Sequence, residues 1–580
     1  MWAAEATEEP PYFCTTRATG PQATDACSRP REAARRRPIA SPRDARCDHG
    51  VTAPEDWLLS AEERGNAATD LPAWTEGNLA VPLVHGTAYF DQLVECVQAL
   101  DEDDHLFFTD WRGDPDEELR PGGPTVAQLF TEAVQRGVTV RGLVWRSHVD
   151  WLSFSSRENR ALDREVEDGG GLVVLDQRVR RGGSHHQKLV VCRHDQDATK
   201  DVAFVGGIDL CHSRRDDADH RGDPQSLPMA AAYGPTPPWH DVQLMIRGPA
   251  VAAVDTVFRE RWDDPMDPDQ GNPVAHVIDR LRRSRMFADR LAPQLPAPPP
   301  MGPHLVQNLR TYPAMRPPYR FAPGGERSVA RGYSKAIRRA RRLIYLEDQY
   351  MWSGEVAQLF ADALRDHPDL HLVVVVPRVP DQDGAIAKTP QYVGRWQALE
   401  MVRRADRDRV HVFDIENHEG TPVYVHAKVC VVDDVWASVG SDNFNRRSWT
   451  HDSELSSAVL DTTLDPREPR DPAGTGDGAR TFARDLRLIL AREHTDRAAD
   501  GSEDADLLDP AAFVTTLEAQ ADELDAWYAG GRRGPRPRGR LRHHEPEQLS
   551  LSTRLWATPL YRLVDDPDGR PLRLRRRGEF

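Results

Sequence analysis

Two stretches of the sequence decide the fold, Ser184-His-His-Gln-Lys188 and Val423-Tyr-Val-His-Ala-Lys-Val-Cys-Val-Val-Asp433. Each carries a histidine and a lysine two residues apart: His186 and Lys188 in the first, His426 and Lys428 in the second. Both lie in or beside a β-type run, where side chains alternate between the two faces of the strand. The spacing of two therefore predicts that each histidine and its lysine share one face of a sheet.

A second β-type run follows each stretch and ends in a small polar turn. The first turn is Gly206-Gly-Ile-Asp209 and the second is Gly440-Ser-Asp-Asn443. Small polar side chains and backbone N–H groups at a strand end can bind a phosphate. We therefore predict phosphate-binding positions in equivalent places of the two copies: Gly207, Asp209 and Lys188 in the first, and Ser441, Asn443 and Lys428 in the second.

The order of elements around these stretches is repeated, which predicts a duplicated architecture. The pentapeptide Val126-Ala-Gln-Leu-Phe130 recurs as Val356-Ala-Gln-Leu-Phe360, and each copy opens a helix-like stretch that leads to a β-type run. Alternating helix and strand patterns are typical of α/β proteins. We expect two half-domains, each a mixed β-sheet flanked by helices, packed face to face with the active site at their interface.

Composition predicts the domain boundaries. Proline-rich and charged stretches with few periodic apolar residues favour connectors or disorder over a packed core. The expected divisions are a disordered N-terminal segment (1–50), a first half-domain (51–262), a proline-rich linker (263–303), a second half-domain (304–495) and a partly disordered C-terminal extension (496–580).

Charge and hydropathy exclude some classes of protein. The chain of 580 residues carries a formal net charge of −17, which disfavours nucleic acid as a partner held by the overall field. No apolar run reaches the roughly 18 residues of a membrane span, and no secretory signal is visible. We expect a cytoplasmic protein that can contact a membrane peripherally.

The sequence predicts no metal and no cofactor. Its seven cysteines are scattered and contain no C-x-x-C pair that would indicate a zinc site or a redox motif. The segment His212–His220 combines histidines with Asp216, Asp217 and Asp219, but their spacing matches no recognisable ligand pattern.

The paired histidines and lysines suit the cleavage of a phosphodiester. This anion resists attack, so a catalyst must neutralise its oxygens and supply both a nucleophile and an acid for the leaving alkoxide. One imidazole from each half can divide the last two tasks, and Lys188 and Lys428 can bind the non-bridging oxygens.

These motifs resemble the phospholipase D superfamily, and specifically its phospholipid-cleaving branch. The resemblance rests on the paired H-x-K motifs, on the turns that follow them, and on the segments Leu305–Tyr312 and Glu347–Tyr350. It extends from about Val81 to His494. Two H-x-K units in equivalent positions of a repeat are far more specific than one.

The resemblance implies a reaction and its partners. A phosphatidylcholine-type phospholipid at a membrane surface is hydrolysed to phosphatidic acid and alcohol, with transphosphatidylation to a primary alcohol as the accompanying reaction. His186 attacks phosphorus to form a phosphohistidine, while His426 protonates the leaving alcohol and then deprotonates the water or alcohol acceptor. We expect a monomer.

By the same resemblance, carboxylates orient the two histidines. Glu454 matches the position that orients His426, and Asp241 is the candidate for His186. Asp433 completes the second motif.

The first motif is incomplete, because Arg193 occupies the place of its aspartate. The hairpin is longer here, and Asp195 or Asp201 is the candidate to secure it instead. The alternatives to a phospholipase D are a cardiolipin-synthase-like phosphatidyltransferase or another phosphodiesterase of the superfamily. Outside enzymes, Arg193 would mark a lipid- or phosphate-binding protein with a decayed first site.

Overall fold

A computed structural model describes residues 53–147, 156–268 and 290–580. The predicted N-terminal segment 1–50 and residues 269–289 of the predicted linker lie outside the described residues. None of the described helices combines the length and the hydrophobicity that a membrane crossing requires.

The first half of the chain alternates strands and helices. Its strands are β1 (Thr75–Val84), β2 (His105–Asp110), β3 (Thr139–Trp145), β4 (Leu172–Asp176), β5 (Leu189–Arg193), β6 (Val202–Gly206), β7 (Trp239–His240) and β8 (Val242–Arg247). Its helices are α1 (Pro54–Trp57), α2 (Ala61–Arg64), α3 (Gly86–Gln98), α4 (Val126–Gln135), α5 (Ser156–Asp168) and α6 (Ala250–Trp262).

The second half repeats this alternation. Its strands are β9 (His304–Tyr312), β10 (Glu326–Arg327), β11 (Leu343–Asp348), β12 (His371–Val375), β13 (Val410–Ile415), β14 (Tyr424–Val425), β15 (Lys428–Val432), β16 (Trp436–Gly440), β17 (Glu454–Asp461) and β18 (Leu541–His543). Its helices are α7 (Ser328–Arg339), α8 (Gly354–Asp366), α9 (Ala385–Ala405), α10 (Arg446–Thr450), α11 (Thr481–His494), α12 (Pro510–Ala529), α13 (Leu551–Leu560) and α14 (Leu572–Arg577).

The sheet topology confirms the predicted duplication. The first half contributes the order β4-β3-β2-β5-β6-β8-β1, and the second half contributes β9-β17-β16-β15-β11-β12-β13-β18. In each half, parallel neighbours (β2, β3, β4; β11, β12, β13) adjoin antiparallel ones (β5, β6, β8; β15, β16, β17). The halves join edge to edge through the antiparallel pair β1 and β9.

The halves also pack face to face across one apolar core. Val191 on β5 and Val205 on β6 belong to the same buried cluster as Val429 on β15 and Val439 on β16. Burying a side chain of this size contributes about 1.5–3 kcal/mol relative to exposure. This shared core aligns the ends of β5 and β15, where the two H-x-K units lie.

The C-terminal extension differs from the prediction of partial disorder. The structure describes residues 496–580 with three helices, and β18 extends the sheet by pairing with β13. Phe513 and Leu517, one turn apart on α12, are buried in the core. The arginine-rich composition that suggested disorder is compensated by ion pairs, such as those of Arg542 with Asp525 and Glu416.

Candidate active site

Each histidine of the two H-x-K units contacts a carboxylate from the opposite half. His186 Nδ1 lies 2.9 Å from Glu454 Oε2, and His426 Nδ1 lies 2.6 Å from Asp241 Oδ2. The predicted pairing of Glu454 with His426 and of Asp241 with His186 is therefore wrong. The four residues are the expected ones, but the partners are exchanged.

Backbone contacts across the interface explain the exchange. The N–H of His186 donates to the carbonyl of Ser453 at 2.9 Å, which places this histidine beside Glu454. The N–H of His426 donates to the carbonyl of His240 at 2.8 Å, which places it beside Asp241. The short strands β7 and β14 pair in parallel at the second of these contacts. Each H-x-K segment thus runs along the carboxylate-bearing segment of the other half.

Engagement of Nδ1 leaves Nε2 of each imidazole to act on a substrate. The two rings differ in exposure: the side chain of His186 is 15% exposed, whereas that of His426 is 6% exposed. Burial, reinforced by Lys428 and Arg214, lowers the pKa of His426 well below its usual value. This shift favours the neutral form of His426 near pH 7.

The two lysines lie in one electrostatic environment. Lys188 Nζ is 3.3 Å from Asp209 Oδ1, and Lys428 Nζ is 3.4 Å from Gln349 Oε1. Burial lowers the pKa of Lys428 to about 8; Lys188 adds to the shift, and Asp241 opposes it. Two buried ammonium groups that act on each other favour the binding of an anion between them.

The predicted phosphate-binding role does not fit Gly207 or Ser441, because both support the orienting carboxylates. The N–H of Gly207 donates to the carbonyl of Val242, and a Cβ at this glycine would lie 2.2 Å from Asp241 Oδ1. In the other half, Ser441 Oγ donates to Glu454 Oε2 at 2.5 Å. Gly207 thus leaves space for the carboxylate of Asp241, whereas Ser441, in the equivalent position, donates a hydrogen bond to Glu454.

Asp209 and Asn443 occupy equivalent places but differ in charge. Asp209 pairs with Lys188 and lies 3.4 Å from Arg214 Nη2, so this carboxylate already neutralises cations of the site. Burial and the neighbouring Asp209 raise the pKa of Asp110 well above its usual value. Asn443 lines the cavity described below, and its Oδ1 has no hydrogen-bond partner among the described residues. Of the two, Asn443 is the better candidate to contact a substrate.

The aspartate of the second motif secures a hairpin. The carboxylate of Asp433 accepts backbone N–H groups of Arg341, Arg342 and Leu343 at 2.7 to 2.9 Å. These bonds tie the turn between β15 and β16 to the start of β11. Asp433 lies at the far end of β15 from His426.

In the first half, Arg193 secures the equivalent hairpin by ion pairs. Its guanidinium lies 2.7 Å from Asp201 and 2.8 Å from Asp255, and all three side chains are buried. Asp201 also accepts the N–H of His194 at 2.6 Å. Of the two aspartates proposed from sequence, Asp201 takes the securing role. The side chain of Asp195 does not contact Arg193, although its N–H donates to Asp104.

Two further aspartates of the site were not singled out from the sequence. Asp110 ends β2 and accepts the N–H of Leu210 at 2.7 Å; Asp348 ends β11 and accepts the N–H of Phe444 at 3.0 Å. Each thereby holds the polar turn that follows the H-x-K strand. The sequence could have identified them, because an aspartate is the last residue of the equivalent strand in both copies of the repeat.

A cavity of about 480 Å³ reaches His186 and Glu454. Its walls are aromatic: Trp111 stacks on Trp145, and Tyr350 stacks on Trp352. The C-terminal residues Leu563, Val564 and Asp565 also line it. Sequence reasoning missed these last residues because their segment was predicted to be partly disordered.

Comparison with protein families matches both halves of the chain. Residues 116–287 match the model described as "Phospholipase D", and residues 334–465 match the model described as "Cardiolipin synthase, PLD-like domain". Each matched region contains one H-x-K unit.

Curated relatives include plant enzymes. Phospholipase D alpha 2 of Oryza sativa subsp. japonica is 28% identical, with 58% of this chain and 55% of the relative covered. Phospholipase D beta 2 of Arabidopsis thaliana is 27% identical, with 59% and 49% covered. The chain thus spans about half the length of these relatives. The crystal structure of phosphatidylserine synthase from Haemophilus influenzae Rd KW20 matches with a TM-score of 0.46 and 13% identity, covering 70% of this chain and 87% of that one.

Proposed function

Because this chain belongs to the phospholipase D superfamily, we propose that it hydrolyses the headgroup phosphodiester of phospholipids, releasing phosphatidic acid and an alcohol. The observation that carries the proposal is the pair of crossed contacts, His186 with Glu454 and His426 with Asp241. Two oriented imidazoles beside Lys188 and Lys428 supply a nucleophile, an acid and cationic stabilisation of the phosphate oxygens.

The first step forms a phosphohistidine. Neutral His186 attacks phosphorus through Nε2, and the bond from phosphorus to the headgroup oxygen breaks as His426 Nε2 gives its proton to that oxygen. Burial and the neighbouring Lys428 and Arg214 lower the pKa of His426, so this imidazole takes up a proton from solvent as the anionic phosphodiester binds and offsets their charge. The greater exposure of His186 and its place on the cavity wall support it as the nucleophile.

The second step regenerates the site. Water loses a proton to His426 Nε2 and attacks phosphorus, and the bond from phosphorus to His186 breaks. The product is phosphatidic acid, and both imidazoles return to their starting protonation. A primary alcohol in place of water gives a phosphatidyl alcohol by the same steps, which is the transphosphatidylation that we propose to accompany hydrolysis.

Apolar surface beside the cavity supports a lipid substrate over a soluble diester. Among the described residues, every large hydrophobic side chain that is strongly exposed, apart from Leu464, lies between residues 551 and 572. These residues are Leu551, Leu555, Trp556, Leu560, Leu563, Val564 and Leu572. Exposed leucines and a tryptophan interspersed with arginines are typical of helices that lie in a membrane interface.

The aromatic walls support a choline headgroup. A quaternary ammonium group is attracted to the faces of tryptophan and tyrosine rings, a contribution of about 0.5–2 kcal/mol. Trp111 and Tyr350 belong to the stacked pairs that line the cavity near His186. Phosphatidylcholine-type lipids are therefore the proposed substrates.

One observation favours a second candidate, transfer of a phosphatidyl group to another lipid. The family model that matches residues 334–465 is described as a cardiolipin synthase domain. Both reactions use the same covalent step and differ only in the acceptor, so supplying phosphatidylglycerol as the acceptor separates them.

The test uses the full chain with phosphatidylcholine vesicles, with and without a primary alcohol. We expect phosphatidic acid alone in the first case and added phosphatidyl alcohol in the second. His186→Ala and His426→Ala should each lower both products by about 10³-fold or more. If neither substitution lowers them, the two-histidine mechanism is wrong.

A further inference from the structure

Three buried histidines and one largely buried glutamate outside the cavity converge on one point. His85 precedes α3, His220 lies in the loop between β6 and β7, His240 lies on β7, and Glu493 lies near the end of α11. One ligand atom from each lies within 4.8 Å of all the others. We propose that these residues bind a zinc ion that holds the two halves together beside Asp241.

The distances suit a tetrahedral ion after small movements. Glu493 Oε2 lies 2.7 Å from His85 Nε2, and Oε1 lies 3.0 Å from His220 Nε2 and 3.3 Å from His240 Nδ1. Zinc bound at about 2.0–2.1 Å separates tetrahedral ligand atoms by about 3.4 Å. Side-chain shifts of under about 1 Å therefore bring all four atoms into coordination distance.

The outer nitrogens of two rings face carboxylates, as they do in zinc sites. A histidine that binds zinc commonly donates its other N–H to a carboxylate, which selects the tautomer. His240 Nε2 lies 2.6 Å from Glu347 Oε2, and His220 Nδ1 lies 3.5 Å from Asp216 Oδ2. The second nitrogen of each ring, Nδ1 of His240 and Nε2 of His220, faces the other proposed ligands.

The charges of the cluster also call for a cation. Glu347 is fully buried and the side chain of Glu493 is 9% exposed, and their ion pairs in the described part of the chain are all with histidines. Buried carboxylates are destabilising unless a cation compensates them. His240 Nδ1 lies 3.3 Å from Glu493 Oε1 but has no hydrogen-bond partner among the described residues. With zinc, neutral His240 donates only to Glu347, and the ion compensates Glu493.

The ion would position the catalytic machinery without taking part in the reaction. His240 immediately precedes Asp241, and the N–H of His85 donates to the carbonyl of Asp241 at 2.8 Å. Three ligands come from the first half and Glu493 comes from the second. The ion would thus hold in place the segment whose carboxylate orients His426.

Metal analysis of the full chain tests the proposal. The protein is produced without a polyhistidine tag in medium that contains zinc, and its metal content is measured by plasma mass spectrometry. We expect about one zinc per chain, and below about a tenth in His220→Gln and in Glu493→Gln. His212→Gln is the matched control, because this histidine lies in the same loop but outside the cluster, and it should retain the zinc.

Two outcomes overturn the inference. One is wild-type protein that contains less than about a tenth of a zinc and gains none when refolded with zinc. The other is unchanged zinc content in both variants. If the variants do not fold, the visible absorption of wild-type protein loaded with cobalt tests the site instead. Intense absorption, typical of a tetrahedral ion, supports the site. Weak absorption, typical of a six-coordinate ion, refutes it. Neither readout depends on phospholipid hydrolysis, so failure here leaves the proposed function untouched.

Discussion

At the scale of single residues, the site depends on carboxylates that act across the interface. A histidine that attacks phosphorus needs its second nitrogen held, because rotation or the wrong tautomer withdraws the reactive lone pair. Glu454 holds His186 and Asp241 holds His426, so each half completes the other. A half-domain alone therefore has a histidine without its orienting partner.

The crossed pairing predicts different defects for the two carboxamide variants. Glu454→Gln should slow formation of the phosphohistidine by about 100-fold or more, because it affects His186, the proposed nucleophile. Asp241→Asn affects His426, the proposed acid and base, so it should allow some phosphohistidine to form and slow its breakdown. Rapid quench with labelled substrate measures both steps. Accumulation of the intermediate in Glu454→Gln but not in Asp241→Asn would reverse the assignment.

Gly207 is required for the space that it leaves. We expect Gly207→Ala to displace Asp241, since the new methyl group would lie 2.2 Å from Oδ1, and to lower kcat by about 10- to 100-fold. Circular dichroism should show a folded protein. Gly324→Ala is the control, because no atom lies within 4 Å of a Cβ there. Equal activity of the two variants would show that Asp241 tolerates the displacement.

The pKa of Lys428 predicts the alkaline limit of activity. Its pKa of about 8 means that the ammonium group is charged below pH 8 and neutral above it, where it no longer attracts phosphate. We expect kcat/KM to fall more steeply above about pH 8 than the loss of protonated His426 alone requires, with a smaller effect on kcat because bound phosphate raises the pKa of Lys428. The guanidinium of Lys428→Arg stays charged over this pH range. The residual kcat/KM of this variant should therefore lack the steeper fall above pH 8. A wild-type kcat/KM that is flat to pH 10 would exclude Lys428 as the titrating group.

At the scale of elements, the two equivalent hairpins are secured by opposite charges. Asp433 accepts three backbone N–H groups, whereas Arg193 pairs with two buried carboxylates. Both arrangements tie the hairpin to its surroundings at the far end of the strand from the catalytic histidine. Replacement of the motif aspartate by Arg193 therefore changes how the hairpin is secured.

Restoring the motif aspartate should harm the protein. Arg193→Asp removes the arginine from Asp201, leaves Asp255 with Arg259 alone and adds a third buried carboxylate. We therefore expect a loss of about 3–5 kcal/mol in the free energy of unfolding. Urea denaturation measures it. Arg221→Asp, at an exposed arginine paired with Asp219, should change stability by under about 1 kcal/mol. Higher stability or higher activity of Arg193→Asp would show that the first motif is decayed.

At the scale of the whole molecule, the C-terminal extension places apolar surface beside the catalytic cavity. Its helix α13 and the residues that follow leave leucines exposed, while Leu563 and Val564 reach the cavity lining. A membrane that binds this surface would lie next to the cavity, which we propose that a lipid enters. The same segment could thus both bind the membrane and shape the cavity that leads to His186.

Polar substitutions in this exposed apolar surface should lower activity on vesicles without lowering activity on a monomeric substrate. Leu551 and Leu555 are 72% and 77% exposed and lie outside the cavity lining. We expect Leu551→Ser/Leu555→Ser to lower hydrolysis of vesicle lipid by about 10-fold or more and to leave a monomeric short-chain substrate unaffected. Leu464→Ser, at a leucine exposed elsewhere, is the control. Equal losses on both substrates would point to a folding defect instead of membrane binding.

The sequence by itself determined the duplicated α/β halves and the two H-x-K strands, because repeats and side-chain alternation are properties of the local chain. It also identified Asp241 and Glu454 as the carboxylates of the site. Only the tertiary structure decided which carboxylate serves which histidine, since that depends on how the two halves face each other. The same holds for the space at Gly207, the ion pairs of Arg193 and the place of Leu563 and Val564 in the cavity lining. Each of these depends on contacts between segments far apart in the chain, which local pattern does not encode.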